Sequence, residues 1–154
     1  MALAASGLSH TVVRPTGIFS AFADLVGMAR RGPLPLLGDG ATQSNPIHPR
    51  DVATAIVGVL ERGPASLPLG GPETMTREEM LGLAFTALGQ PRRFRRVPPG
   101  LFRFLAVLLT WFHPRLSELL EFFAAVATST SIAPAVGVER LSDYYREVAA
   151  QPQK

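Results

Sequence analysis

The chain has 154 residues, no cysteine, 47% hydrophobic and 18% charged residues, and a formal net charge of +3. It is long enough to bury a core without covalent staples. The missing thiols exclude disulfides, thiolate metal sites and a cysteine nucleophile and suit a cytoplasmic setting, and the small basic excess is too weak for a nucleic-acid surface, so no nucleic-acid partner is expected.

Along the chain, MALAASGLSH has no basic region and too short an apolar run for a signal peptide. HTVVRP (10–15) is β-branched and continuous, which predicts a buried strand ending at Pro15. From Ser20 to Arg31, Phe22, Leu25, Val26 and Ala29 recur at helical spacing, and Gly32-Pro33 stops the helix. LPLLGDGATQSNPIH (34–48) reads as two short extended pieces around the turn Gly38-Asp39-Gly40. Residues 50–63 form a helix with an apolar stripe of Val52, Ala55, Ile56, Val59 and Leu60, and Asp51 complements the dipole in its first turn.

ASLPLGG (65–71) is a strand candidate. In TREEMLGLAFTALG (76–89), Thr76 and Glu79 form a capping box, Met80, Leu83, Ala84, Ala87 and Leu88 the apolar stripe, and Gly89 the stop. RRFRRVP (92–98) is extended, with Arg93 and Arg95 on one face and Arg92, Phe94 and Arg96 on the other. It is read as a solvated edge, with a phosphate- or lipid-contacting patch as the alternative. LFRFLAVLLTWF (101–112) is too short to span a bilayer and predicts a buried or interfacial helix. A second helix covers 114–127, and GVERLSDYYREVAA (137–150) is a short amphipathic helix that docks on the rest, with pairing from Arg140 to Asp143.

This order predicts an α/β fold with strands paired in parallel. Residues 1–98 form the layered part and 99–154 a C-terminal helical cap.

TVVRPTGIF, NPIHPRDVATAI and LPLGGPETMTREEML occur in the order and spacing found in the C-terminal half of short-chain dehydrogenase/reductases. The resemblance is to the atypical and extended branches, near the nucleoside-sugar epimerases and the accessory Rossmann subunit of respiratory complex I. It implies a partial doubly wound, Rossmann-like NAD(P)-binding sheet. Ligands of such sheets bind outside the carboxyl ends of the strands. By resemblance, Pro15, Thr16 and Gly17 line the nicotinamide side of an NAD or NADP site, and Ile18, Phe19, His48 and Arg50 face the substrate side. The residues alone read rather as an ordinary strand-to-helix turn. Pro46 and Pro49 stiffen the loop around His48. His48 then either touches substrate or orients Asp51, or it bonds a neighbouring loop.

Two parts of that family's machinery are missing from this sequence. No glycines fit a phosphate-cradling G-x-G-x-x-G turn. Tyr144 and Tyr145 have no lysine four residues on; the only lysine is Lys154. The expectation is therefore a C-terminal fragment that is inactive alone, holds NAD or NADP only with a missing N-terminal half, and has no catalytic residue of its own. An unpaired strand edge predicts self-association or docking onto that half. The alternatives are a non-catalytic NAD(P)-binding sensor or assembly factor, or a module using residues 92–127 against a partner or membrane surface. His10, His48 and His113 lack metal-ligand spacing, so no metal is expected. Glu78-Glu79 is cap chemistry, and the small-molecule substrate is not identified.

Overall fold

The computed structural model describes residues 7–98, 100, 101, 125 and 128–151. The helices expected over 101–112 and 114–127 lie outside the described residues, apart from single positions at their ends. Among the described residues there are six strands: β1 (Val12–Pro15), β2 (Leu34–Leu37), β3 (Gln43–Ser44), β4 (Ser66–Leu69), β5 (Met75–Thr76) and β6 (Phe94–Val97). The helices are α1 (Asp24–Arg31), α2 (Pro49–Val57), α3 (Arg77–Ala87) and α4 (Leu141–Ala150), with one 3₁₀ turn at Phe19–Phe22.

Parallel pairing is the rule. β1 pairs with β4 and β2 with β6, each in parallel; only the short β3–β5 pair is antiparallel. The pairs form three two-stranded sheets, so the expected layered sheet is present as short pieces. Parallel partners so far apart in sequence require crossovers, and helices fill them.

The core sits between α1, α3 and α4. Val26 and Ala29 of α1, Met80, Ala84 and Phe85 of α3, and Leu141 and Tyr145 of α4 are buried together with Phe19, Leu34 and Met75. The final helix therefore docks as its amphipathic pattern predicts. α3 begins with the expected capping box: Glu79 N–H donates to Thr76 Oγ1, and Thr76 N–H donates to Glu79 Oε2. It ends in a Schellman motif, where Gln90 N–H donates to Phe85 O and Gly89, at φ +63°, donates to Thr86 O. The predicted stripe missed Phe85, because α3 is covered on more than one side: it packs against α1, α4 and β2.

Three expectations need correction. β1 is not a buried strand: Val12 and Arg14 are exposed and Val13 and Pro15 half-buried. Among the described residues only β4 flanks it. The helix expected over 50–63 ends at Val57, and none of its residues is buried. Finally, Arg140 does not pair with Asp143. It faces Glu73 at 3.5 Å, while Asp143 pairs with Arg146 on its own helix. Helix geometry allows Asp143 a partner on either side, and the extended backbone of Arg140 at the N-cap turns that side chain away from the helical row.

The arginine cluster lies on the surface as a solvated edge. Arg96 pairs with Glu78 at 3.6 Å, with both side chains exposed, and Arg93 donates to Gln90. Such pairs contribute at most about 1 kcal/mol. Among the described residues no helix is long and apolar enough to cross a membrane.

Candidate functional site

The carboxyl ends of β1 and β4 are joined by a third segment, Asn45–His48. On the β1 side, Ile47 N–H donates to Gly17 O (2.8 Å) and Phe19 N–H to Ile47 O (3.1 Å). On the β4 side, Gly71 N–H donates to Asn45 O (2.8 Å). Thr16 ties the strands together: its N–H donates to Leu69 O and its hydroxyl to Asn45 O at 2.6 Å. The residues expected at the cofactor side, Pro15, Thr16 and Gly17, are thus held against the loop carrying His48. They form a half-buried ledge whose polar atoms are largely committed to backbone bonds. At Gly17 a Cβ would press on the Phe22 ring at 3.3 Å, so glycine suits the close approach.

The substrate-side candidates divide. Ile18 bridges Ile47 in parallel, beside the ledge. Phe19 is 1% exposed and belongs to the core. Arg50 is exposed, at the second position of α2. His48 is the N-cap of α2: its Nδ1 accepts from Arg50 N–H at 3.1 Å. That bond leaves the proton of the neutral ring on Nε2. The ring is fixed edge-on between Phe19 (centroids 5.5 Å) and Tyr144 (5.6 Å). The local role is therefore the capping of its own helix, and Nε2 is not engaged in a hydrogen bond with any described residue.

Asp51, expected to anchor the helix start, anchors the tail. Its Oδ2 accepts from Val138 N–H (2.9 Å) and Glu139 N–H (3.1 Å). Asn45, to which the sequence assigned no functional role, fastens the same tail. Only 2% exposed, it donates from Nδ2 to Ala133 O (2.7 Å) and Gly71 O (3.2 Å), and its Oδ1 accepts from Ala133 N–H (3.0 Å). The tail then pairs with Gly70, which donates to Pro134 O and accepts from Val136 N–H. Gly70 and Gly71 have a purpose that no phosphate motif describes: a Cβ on Gly70 would enter the Asn45 amide, and one on Gly71 the Pro46 carbonyl. The Asn45-Pro46 dipeptide and the glycine pair were visible in the sequence, but their 26-residue separation hid that they meet.

Among the described residues no ion pair lies at the ledge. Burial pushes the Tyr145 phenol above the usual tyrosine range, and it lies in the core. Hydrogen bonds from the Thr76 backbone and hydroxyl hold Glu79 below the usual carboxylate range, as cap chemistry requires. Neither belongs to the ledge. Among the described residues no three histidine or acidic side chains come together to hold a metal. The start of α2, beside the ledge, has Pro49, which has no N–H, and an Arg50 amide that goes to His48, while α3 is closed by its capping box.

No protein-family model matches the chain. It is 28% identical over 171 aligned positions to divinyl chlorophyllide a 8-vinyl-reductase of Cucumis sativus, covering 95% of this chain and 41% of that protein. Over 96 positions it is 34% identical to NADH dehydrogenase [ubiquinone] 1 alpha subcomplex subunit 9 of Arabidopsis thaliana, covering 60% of this chain and 22% of that one. The chain is related to the short-chain dehydrogenase/reductase proteins. In fold it resembles a nucleoside-diphosphate-sugar epimerase from Staphylococcus aureus, with a TM-score of 0.55 at 17% identity over 99% of this chain and 52% of that one. The chain spans less than half the length of the curated relatives it matches.

Proposed function

We propose that this chain supplies the nicotinamide and substrate side of the cleft in an NAD(P)-dependent oxidoreductase or epimerase-like protein, and that it has no turnover alone. The observation that carries this reading is the ledge itself. Pro15–Ile18 is clamped to Asn45–His48 at the carboxyl ends of a parallel strand pair, where layered α/β sheets receive their ligands. Pro15, Thr16 and Gly17 give an apolar, close-approach wall for a nicotinamide ring. His48 offers Nε2–H to a substrate oxygen, and Arg50 offers positive charge at the rim. The cofactor, when bound, supplies hydride transfer; the chain's own residues orient it and exclude water.

The test uses reduced nicotinamide mononucleotide, the half of the cofactor that this ledge fits. Titrated into the ¹⁵N-labelled chain at millimolar concentration, it shifts the amides of Thr16–Phe19, His48 and Arg50 and few others. Shifts elsewhere, or none, refute the reading.

A second reading is a non-catalytic NAD(P)-binding sensor or assembly subunit. It is favoured by the missing Tyr-x-x-x-Lys pair and by the likeness to a subunit of a larger NADH dehydrogenase. Turnover by the complete protein separates the two.

A further inference from the structure

We propose that Tyr144 of α4 is the positioning residue for His48: together with Phe19 it seats the imidazole in a single orientation and so fixes where Nε2–H points. The use made of Nε2 rests on the cleft reading above, to which this adds the C-terminal helix.

An imidazole turns about two side-chain torsions. The cap bond from Arg50 N–H to Nδ1 is 3.1 Å long, lies at an exposed position and runs only two residues along the chain. An exposed bond is readily exchanged for one to water, so it does not by itself hold the ring to one rotamer.

Two further rings do. Phe19, His48 and Tyr144 form a closed triangle, with centroids 5.5 Å apart for Phe19–His48 and 5.6 Å apart for the other two pairs. The imidazole stands at 82° to Phe19 and at 71° to Tyr144. At such edge-to-face separations aromatic pairs attract beyond their buried area. The two supports differ in origin. Phe19 is core, so the fold as a whole settles its place. Tyr144 is half-buried and packs at the border of the core, while its neighbours Leu141 and Tyr145 fill the core itself. Its ring is therefore available for the imidazole.

The backbone brings that ring to His48. Asp51 accepts from Val138 N–H and Glu139 N–H, and Arg140 faces Glu73 at 3.5 Å. These contacts tie the start of α4 to the start of α2. Tyr144, whose N–H donates to Arg140 O, stands one turn further on. The two helix starts are thus joined twice, by the Asp51 carboxylate and by the rings.

The experiment is NMR in mildly alkaline buffer on the full chain and on its Tyr144→Phe and Tyr144→Leu variants. Couplings between the Hα and Hβ protons of His48 report its rotamer, and its ring-nitrogen shifts report the tautomer. The unsubstituted chain should show one rotamer, an acceptor Nδ1, a protonated Nε2, and nuclear Overhauser contacts from the His48 ring to both other rings. Tyr144→Phe keeps the ring and should reproduce all of this. Tyr144→Leu keeps an apolar side chain without the ring. There the His48 couplings should average, and exchange of the Arg50 amide should quicken about fivefold, the factor an edge-to-face pair of ordinary strength supplies. The Ala84 and Phe85 amides of α3 should stay as protected as before, which a general loss of stability would not allow. The proposal is overturned if His48 already averages in the unsubstituted chain, if its couplings ignore Tyr144→Leu, or if Tyr144→Phe behaves as Tyr144→Leu does. Should Tyr144→Leu fail to fold, the ring contacts and couplings of the other two forms decide: absent or averaged, they overturn it; present in both, they support it. Reduced nicotinamide mononucleotide separates this from the cleft reading. A His48 that depends on Tyr144 beside a ledge that ignores the mononucleotide keeps the positioning and refutes the cleft. Ledge shifts with a His48 indifferent to Tyr144 do the reverse.

Discussion

Replacing Asn45 by alanine should detach the tail that is bonded beside the ledge. Its side chain makes three hydrogen bonds: two donated to Gly71 O and Ala133 O, one accepted from Ala133 N–H. Gly71 is buried, so its carbonyl finds no water after the change; Ala133 is half-buried and recovers part of its loss. At a net ~1 kcal/mol per bond, with a further penalty for the stranded Gly71 carbonyl, Asn45→Ala costs about 3 kcal/mol. For a domain of this length that lowers Tm by about 9 °C. Asn45→Asp keeps the acceptor but loses both donors and turns a carboxylate toward two carbonyls, so it is no milder. Urea unfolding measures the total. Amide hydrogen exchange locates it: protection falls first at Ala133, Gly137 and Val138, before α1 and α3 respond. A cost below about 0.5 kcal/mol, typical of an unremarkable surface site, refutes the view that Asn45 fastens the tail.

Gly71→Ala places a methyl group into the Pro46 carbonyl, which is backbone and does not yield, so destabilisation of about 3 kcal/mol or loss of folded protein in expression is expected. The Tyr145 hydroxyl is buried without a partner among the described residues, so Tyr145→Phe should be neutral or stabilise by about 1 kcal/mol in chemical denaturation; a loss of that size would mean the hydroxyl is bonded. Because burial raises the Tyr145 pKa in the folded state, its contribution is complete below the ordinary value of about 10 and declines as pH climbs beyond it. Spectrophotometric titration of the chain against its Tyr145→Phe variant should therefore place the Tyr145 phenol above the ordinary tyrosine range. Thr76→Ala removes the α3 cap and costs about 1 kcal/mol, read from the thermal midpoint. The same cap depresses the folded-state pKa of Glu79, so its stabilisation is present above the ordinary glutamate value of about 4.3 and lost as pH falls through the folded one. The Glu79→Gln variant should show a flatter stability profile in that acid range.

By itself the sequence determined whatever depends on neighbours along the chain. The capping box and glycine stop of α3, the turn between β2 and β3, the β-branched run that becomes β1, and the amphipathic face of α4 are local patterns, and each appears where the spacing placed it. It also placed Pro15–Gly17 and His48 in one region, through likeness to a family and not through geometry. The bonds between those segments, with Ile47 linking Gly17 and Phe19, came only from the fold. Tertiary structure alone decided that Phe19 is core, that His48 caps its helix, that Asp51 and Asn45 hold a tail more than 80 residues away, and that no residue of α2 is fully buried. The reason is physical. Hydrogen-bond partners and burial are properties of the whole folded arrangement, and a residue's own spacing carries no record of which distant segment comes to lie against it.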